Sequence, residues 1–149
     1  MESTVSTYLA LNVQIVFSTK HRQPFLNKDI IAPAHAYLGG VIKGLGGVPI
    51  QIGGVEDHVH ILMGMKSTHS VAYLVQEIKK ASGDWIREEI PNFLWQDGYA
   101  AFSVSPERLT GVSKYIENQA EHHHVKTFRE EYIELLEFAG IAFDPKYLD

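Results

Sequence analysis

The chain has 149 residues, 45% hydrophobic and 21% charged, with a net charge of −5 and no cysteine. Such a composition belongs to a folded chain, so it excludes disorder as the main state, and it excludes disulfides, thiol catalysis and thiolate zinc sites. No apolar run approaches the ~20 residues of a membrane helix and Met1–Ala10 lacks a basic, apolar leader, so the expectation is a cytoplasmic protein with no membrane partner.

In chain order, residues 8–19 (YLALNVQIVFST) place Leu9, Leu11, Val13, Ile15 and Phe17 on one face, which predicts a half-buried strand. A polar connection with a proline follows, and Asn27 is placed to cap a helix over 28–45. That helix carries Ile30, Ile31, Ala34, Leu38, Val41, Ile42 and Leu45 at helical spacing. Val48, Ile50 and Ile52 alternate again, and the nearby HVHILM puts His58, His60 and Leu62 on one face and Val59, Ile61 and Met63 on the other. Two strands so close predict an antiparallel hairpin. A second helix over 70–90 has Val71, Leu74, Val75, Ile78, Trp85 and Ile86 as its stripe, and 95–104 reads as a strand bent at Gly98. The order strand, helix, strand, strand, helix, strand is that of the ferredoxin-like, or RRM-like, α+β sheet with helices on one face. Two further helices follow in a single domain, 1–149. The first runs from Ser105-Pro106 to about His123, with an apolar stripe of Leu109, Val112, Ile116 and Ala120. The second opens on a Thr127/Glu130 capping box and turns Phe128, Tyr132, Leu135, Leu136 and Ala139 inward.

Four groups of residues could carry chemistry. His58 and His60, two apart on a strand, project from one face and are close enough to share a metal ion. If Val59, Ile61 and Met63 bury against the helices, the histidines emerge on the open side of the sheet. Two imidazoles and an oxygen suit manganese, zinc or iron, while magnesium needs carboxylate or phosphate help. The plain alternative is two ordinary strand histidines. Tyr115 and Gln119, four apart, share one polar helical stripe. The phenol is a nucleophile in waiting if its proton is removed, and Gln119 offers an amide oxygen as a third ligand; packed tyrosine and solvated glutamine is the alternative. The run His122-His123-His124 sprays ~100° per residue, which suits a helix end better than chelation. Lys20, Arg22, Lys79 and Lys80 are candidate phosphate contacts. Charge is uneven: residues 1–83 carry +2 and residues 84–149 carry −7, which suits an electrostatic footprint on one face only, though composition alone favours a solvated acidic helix near the C-terminus.

Together these features resemble one family. His58-Val59-His60 on a strand, then LVQEIKKASGDW, then WQDGYAAFSVS, then KYIENQAEHH, is similar to the HUH-class single-tyrosine transposases of bacterial insertion sequences, the IS-two-hundred group. IVFSTKHRQPFL resembles that family's first strand and basic loop, and the likeness runs from about Tyr8 to Tyr147. The pairing of His-x-His with Tyr-x-x-x-Gln 55 residues further on is its specific part.

The resemblance implies a divalent metal, magnesium or manganese, on His58 and His60 with Gln119 as third ligand. It implies Tyr115 as the nucleophile on single-stranded DNA near hairpins, with strands transferred through a 5′-phosphotyrosine and no nucleotide cofactor. It also implies a homodimer with shared active sites. The short connection Ser103-Val104-Ser105 points the same way, because it restricts how the tyrosine helix can dock on its own sheet and favours a partner's. The alternative in another class is a non-catalytic nucleic-acid-binding module of the same fold.

Overall fold

The computed structural model describes residues 6–122 and 126–148. A four-stranded antiparallel sheet forms its centre, in the order β2-β3-β1-β4, from β1 (Asn12–Ser18), β2 (Val48–Val55), β3 (His58–Gly64) and β4 (Ala100–Ser103). Helices α1 (Ile31–Gly44) and α2 (Val71–Ile86) are the two crossovers. This is the predicted ferredoxin-like α+β arrangement.

Alternation along the strands decides what each face carries. Val13, Ile15 and Phe17 on β1 and Val59, Ile61 and Met63 on β3 pack with Ala34, Leu38 and Ile42 of α1 and Leu74, Val75 and Ile78 of α2. Phe93 joins this core, with Trp95 stacked edge-on to both Phe17 and Phe93. The other face presents Gln14, Val16 and Ser18, which pair in register with Leu62, His60 and His58.

Element ends differ from expectation where a tertiary partner runs out. Strand β1 starts at Asn12 rather than Tyr8, because its partner β3 ends opposite it at Gly64; Leu9 and Leu11 are therefore exposed. Strand β4 shrinks to four residues, with Gly98 at φ 88° as the bend before it and Trp95 keeping an isolated bridge to Thr19. The Asn27 side chain caps the turn into α1, accepting from the backbone N–H of Asp29 (2.9 Å) and Ile30 (3.2 Å).

The trailing segment covers the second face. After a 3-10 turn at Pro106–Arg108 come α3 (Leu109–Glu117), the short α4 (Gln119–His122) and α5 (Phe128–Phe138). The helix expected to be continuous to His123 is interrupted at Asn118 (φ −97°, ψ 26°). The capping box of α5 is formed: Thr127 Oγ1 accepts from Glu130 N–H at 3.2 Å, and Glu130 Oε1 accepts from Thr127 N–H at 2.8 Å. Phe128 and Leu136 are buried as expected, but Ala139 is exposed at the fraying end.

Helix α3 lies on the sheet of its own chain. The position that makes this work is Gly53 on β2. A β-carbon there would lie 2.3 Å from the carbonyl oxygen of Ile116, so only glycine lets the helix backbone approach this closely. Ser113 Oγ donates to Gln51 Oε1 at 3.0 Å alongside, and Leu62, Val104 and Ile116 form a second, smaller apolar cluster with Leu109 and Val112. Among the described residues no helix is long and apolar enough to cross a membrane.

Candidate functional site

His58 and His60 project from the second face of β3, as their spacing predicts. That face is not open: both side chains are 0% exposed, roofed by α3, α4 and α5. The His58 ring stacks on Phe128 at 4.2 Å between centroids, and the His60 ring meets Tyr115 edge-on at 5.6 Å. Asp57 Oδ1 lies 2.7 Å from His58 Nδ1. A carboxylate there accepts a hydrogen bond from Nδ1–H, which keeps the proton on Nδ1 and leaves Nε2 as the coordinating atom.

Both Nε2 atoms aim at one carboxylate from α5. Glu131 Oε1 is 3.4 Å from His58 Nε2 and 3.3 Å from His60 Nε2. Its other oxygen, Oε2, accepts from the Tyr115 hydroxyl and, at 3.0 Å, from the Gln119 amide. The Gln119 oxygen faces His58 Nε2 at 2.9 Å. Thus β3, α3, α4 and α5 bring His58, His60, Tyr115, Gln119 and Glu131 together around one point, and Gln119 and Glu131 are as buried as the histidines, at 1% and 4% exposed.

The electrostatics favour a cation at that point. Burial pushes His58 towards the neutral form, but hydrogen bonds to Asp57 and Glu131 outweigh it and hold the imidazole up to about 9. Burial likewise opposes the Glu131 charge, and the two histidines overcome it, drawing the carboxyl down to about 2. A pocket that keeps a proton between two imidazoles and two carboxylates suits a divalent ion in its place. The donor set fits as well. The ligand atoms of His58, His60 and Glu131 lie within 4.8 Å of one another, and a carboxylate beside two imidazoles suits manganese and supplies the help that magnesium requires.

The family model for IS200-like transposases matches residues 7–119. The chain belongs to that family. Two solved structures are similar to it. A candidate transposase from Deinococcus radiodurans R1 is 23% identical, with TM-score 0.65 over 80% of this chain and 98% of that one. A REP-associated tyrosine transposase, described as bound to a REP hairpin, is 12% identical, with TM-score 0.60 over 83% of this chain and 74% of that one. At those identities they show a shared fold. No curated protein matches the chain.

Within this family member the basic candidates divide. Arg22 stands close to the site: its guanidinium lies 5.5 Å from the centroid of the Phe128 ring that stacks on His58, and it donates to the Leu148 carbonyl. Lys20 shares its turn, in which His21 and Arg22 both take positive φ, at 54° and 53°. Lys79 and Lys80 belong to α2, which packs on the opposite face of the sheet. The Lys79 amine donates to the carbonyls of Gln96 (2.8 Å) and Gly98 (2.6 Å), tying α2 to the loop before β4. It holds the fold together there and is not presented to the histidine face. His123 and His124 lie outside the described residues, as does the side chain of His122.

The sequence reading overlooked Glu131. Beside Glu130 it looks like one more solvated acid of a capped helix. The signal lay in spacing: Glu131 is three after Phe128 and four before Leu135, inside the stripe that turns inward. An acid within an apolar stripe needs a buried partner, and the unassigned partners were His58 and His60.

Proposed function

We propose that the chain is a metal-dependent DNA strand transferase, cutting and rejoining single-stranded DNA beside hairpins with Tyr115 as nucleophile. The observation that carries this reading is the convergence of the Tyr115 hydroxyl and both histidine Nε2 atoms on the one carboxylate of Glu131. The nucleophile and the cation-binding point are therefore neighbours, as attack on a phosphodiester requires. His58, His60 and Glu131 would hold magnesium or manganese, with the Gln119 oxygen beside them. A bound divalent ion polarises a non-bridging phosphate oxygen and orients the phosphate.

The chain's own residues then have defined parts. Glu131 orients the phenol; held near 2, it is too weak a base to take the phenol's proton for long. The Tyr115 oxygen bonds to phosphorus, the bond to the 3′ oxygen breaks, and the phenolic proton ends on the released 3′ hydroxyl. The phosphotyrosine keeps the bond energy, so rejoining by a later 3′ hydroxyl needs no nucleotide. Phe128 fixes the His58 ring and Asp57 fixes its tautomer. Arg22, beside Phe128, is a candidate contact for a phosphate of the bound strand. Binding of DNA hairpins is proposed on the strength of the REP-hairpin complex of the similar structure.

The test is incubation with labelled single-stranded hairpin DNA and manganese, followed by a denaturing gel. Wild type gives a protein–DNA species that survives denaturant, and Tyr115→Phe gives none while still binding DNA. An adduct with the phenylalanine variant moves the nucleophile elsewhere; DNA binding without any adduct in wild type leaves the non-catalytic module. The same gel tests the homodimer with shared active sites. A mixture of Tyr115→Phe and His58→Ala chains regains roughly half of the activity per dimer if copies exchange α3, and stays inactive if each site is built within one chain.

A further inference from the structure

One buried polar group has no part in the proposed chemistry. Gln14 sits mid-strand on β1, on the histidine face, between Leu62 and Phe102 in register. It is 5% exposed, and its amide oxygen is buried with no hydrogen-bond partner among the described residues. A buried amide oxygen without a partner is destabilising in a resting protein, and a group that pairs with it in the working complex removes that cost. Gln14 lines a cleft of about 460 Å³ whose other walls include Val112, Tyr115 and Leu135, with Glu107 and Arg108 at its mouth. A second cleft of about 370 Å³ shares Gln14, Arg108, Val112 and Leu135. The volumes match those of small-molecule sites that combine apolar walls with one or two placed polar groups.

We propose that this cleft receives a nucleobase of the cleaved strand next to the scissile phosphate, and that Gln14 reads it. The inference rests on the strand-transfer reading and specifies its substrate. Tyr115 is a wall of the cleft and the nucleophile, so a base seated there belongs to a nucleotide flanking the phosphorus under attack. Val112 and Leu135 supply the apolar faces, and the Gln14 amide offers a donor and an acceptor side by side. That pair fits the adjacent N6 and N7 of adenine. Arg108 at the mouth is placed for a neighbouring phosphate.

The test uses a pool of single-stranded oligonucleotides carrying a fixed hairpin and a randomised arm. DNA covalently captured by wild type in manganese is sequenced at the cleavage junction. The expected result is enrichment of adenine at one position beside the junction, lowered roughly 5- to 150-fold in Gln14→Leu, whose melting temperature is equal or higher because an apolar group replaces the unpaired amide. Gln14→Glu, an acceptor of similar shape, shifts the preference towards cytosine; it also decides the matter should the leucine variant fail to fold. No base preference beside the junction in wild type, or a preference unchanged in both variants, overturns the assignment while leaving strand transfer intact. No adduct from wild type overturns strand transfer itself, and this inference with it.

Discussion

The two faces of one sheet follow opposite rules. The face under α1 and α2 packs an apolar core, with polar groups at its edge where the Lys79 amine lies over the Phe17 ring and the Trp95 indole donates to Ser82 at 3.0 Å. The face under α3, α4 and α5 carries one small apolar cluster around Leu62 and Ile116, and beside it two histidines, two glutamines and a glutamate, all buried. A sheet of four strands thus takes its stability mainly from one side and its chemistry from the other. Buried polar groups are tolerable on the second face because His58, His60, Gln119 and Glu131 engage one another, and because the first face supplies the hydrophobic stabilisation that they do not.

The comparison breaks most visibly when the apolar face is damaged. Ile61→Ala, at a fully buried position under α1 and α2, is expected to cost about 2–5 kcal/mol. Denaturant melts should show that loss, while the adduct formed per folded molecule stays near wild type. A large drop in adduct at full folding would mean that the faces are coupled.

A smaller loss with the opposite signature is expected from Gly53→Ala. Its new methyl meets the Ile116 carbonyl, so α3 must lift, at a cost of about 1–3 kcal/mol. Here adduct formation should fall far more than stability does, since Tyr115 travels with α3. Retained adduct would show that the tyrosine is delivered by some other docking, including a partner's.

The pH response sharpens the contrast, because it belongs to one face alone. His58, raised from 6.5 to about 9, adds stability to the metal-free chain that is full below pH 6.5 and is lost as pH rises through 9. Glu131, lowered from 4.5 to about 2, adds stability present above pH 4.5 and lost as pH falls towards 2. In chelator, the melting temperature should be highest between pH 4.5 and 6.5 and fall by a few degrees by pH 9.5. In Glu131→Gln the alkaline fall should shrink, and manganese affinity by calorimetry should drop at least about tenfold. An unchanged manganese affinity would remove Glu131 from the metal site.

The smallest effect separates the basic residues. Arg22→Ala should lower the log–log salt slope of hairpin binding by about 0.7, the value of one single-strand phosphate contact, whereas Lys80→Ala, across the sheet, should leave it unchanged. Equal effects from both would place the DNA over the edge of the sheet and not on one face.

Local pattern was enough to determine the strand and helix order, the sides of β3, the capping box before α5 and the pairing of Tyr115 with Gln119, because periods of two and 3.6 and short cap motifs act within a few residues. It also placed His58 and His60 on one face and, through their spacing to Tyr115, pointed to the family that the match over residues 7–119 shows. Three matters were left to tertiary structure. The histidine face is roofed and not open, because α3 finds at Gly53 a place without a side chain and can lie on its own sheet. Glu131 becomes a member of the site, because α5 crosses β3 where both Nε2 atoms point. Lys79 is tied to the loop before β4, because its amine donates to the Gln96 and Gly98 carbonyls. In each case the deciding partner is more than fifteen residues away, and periodicity in one segment carries no information about which distant segment will meet it.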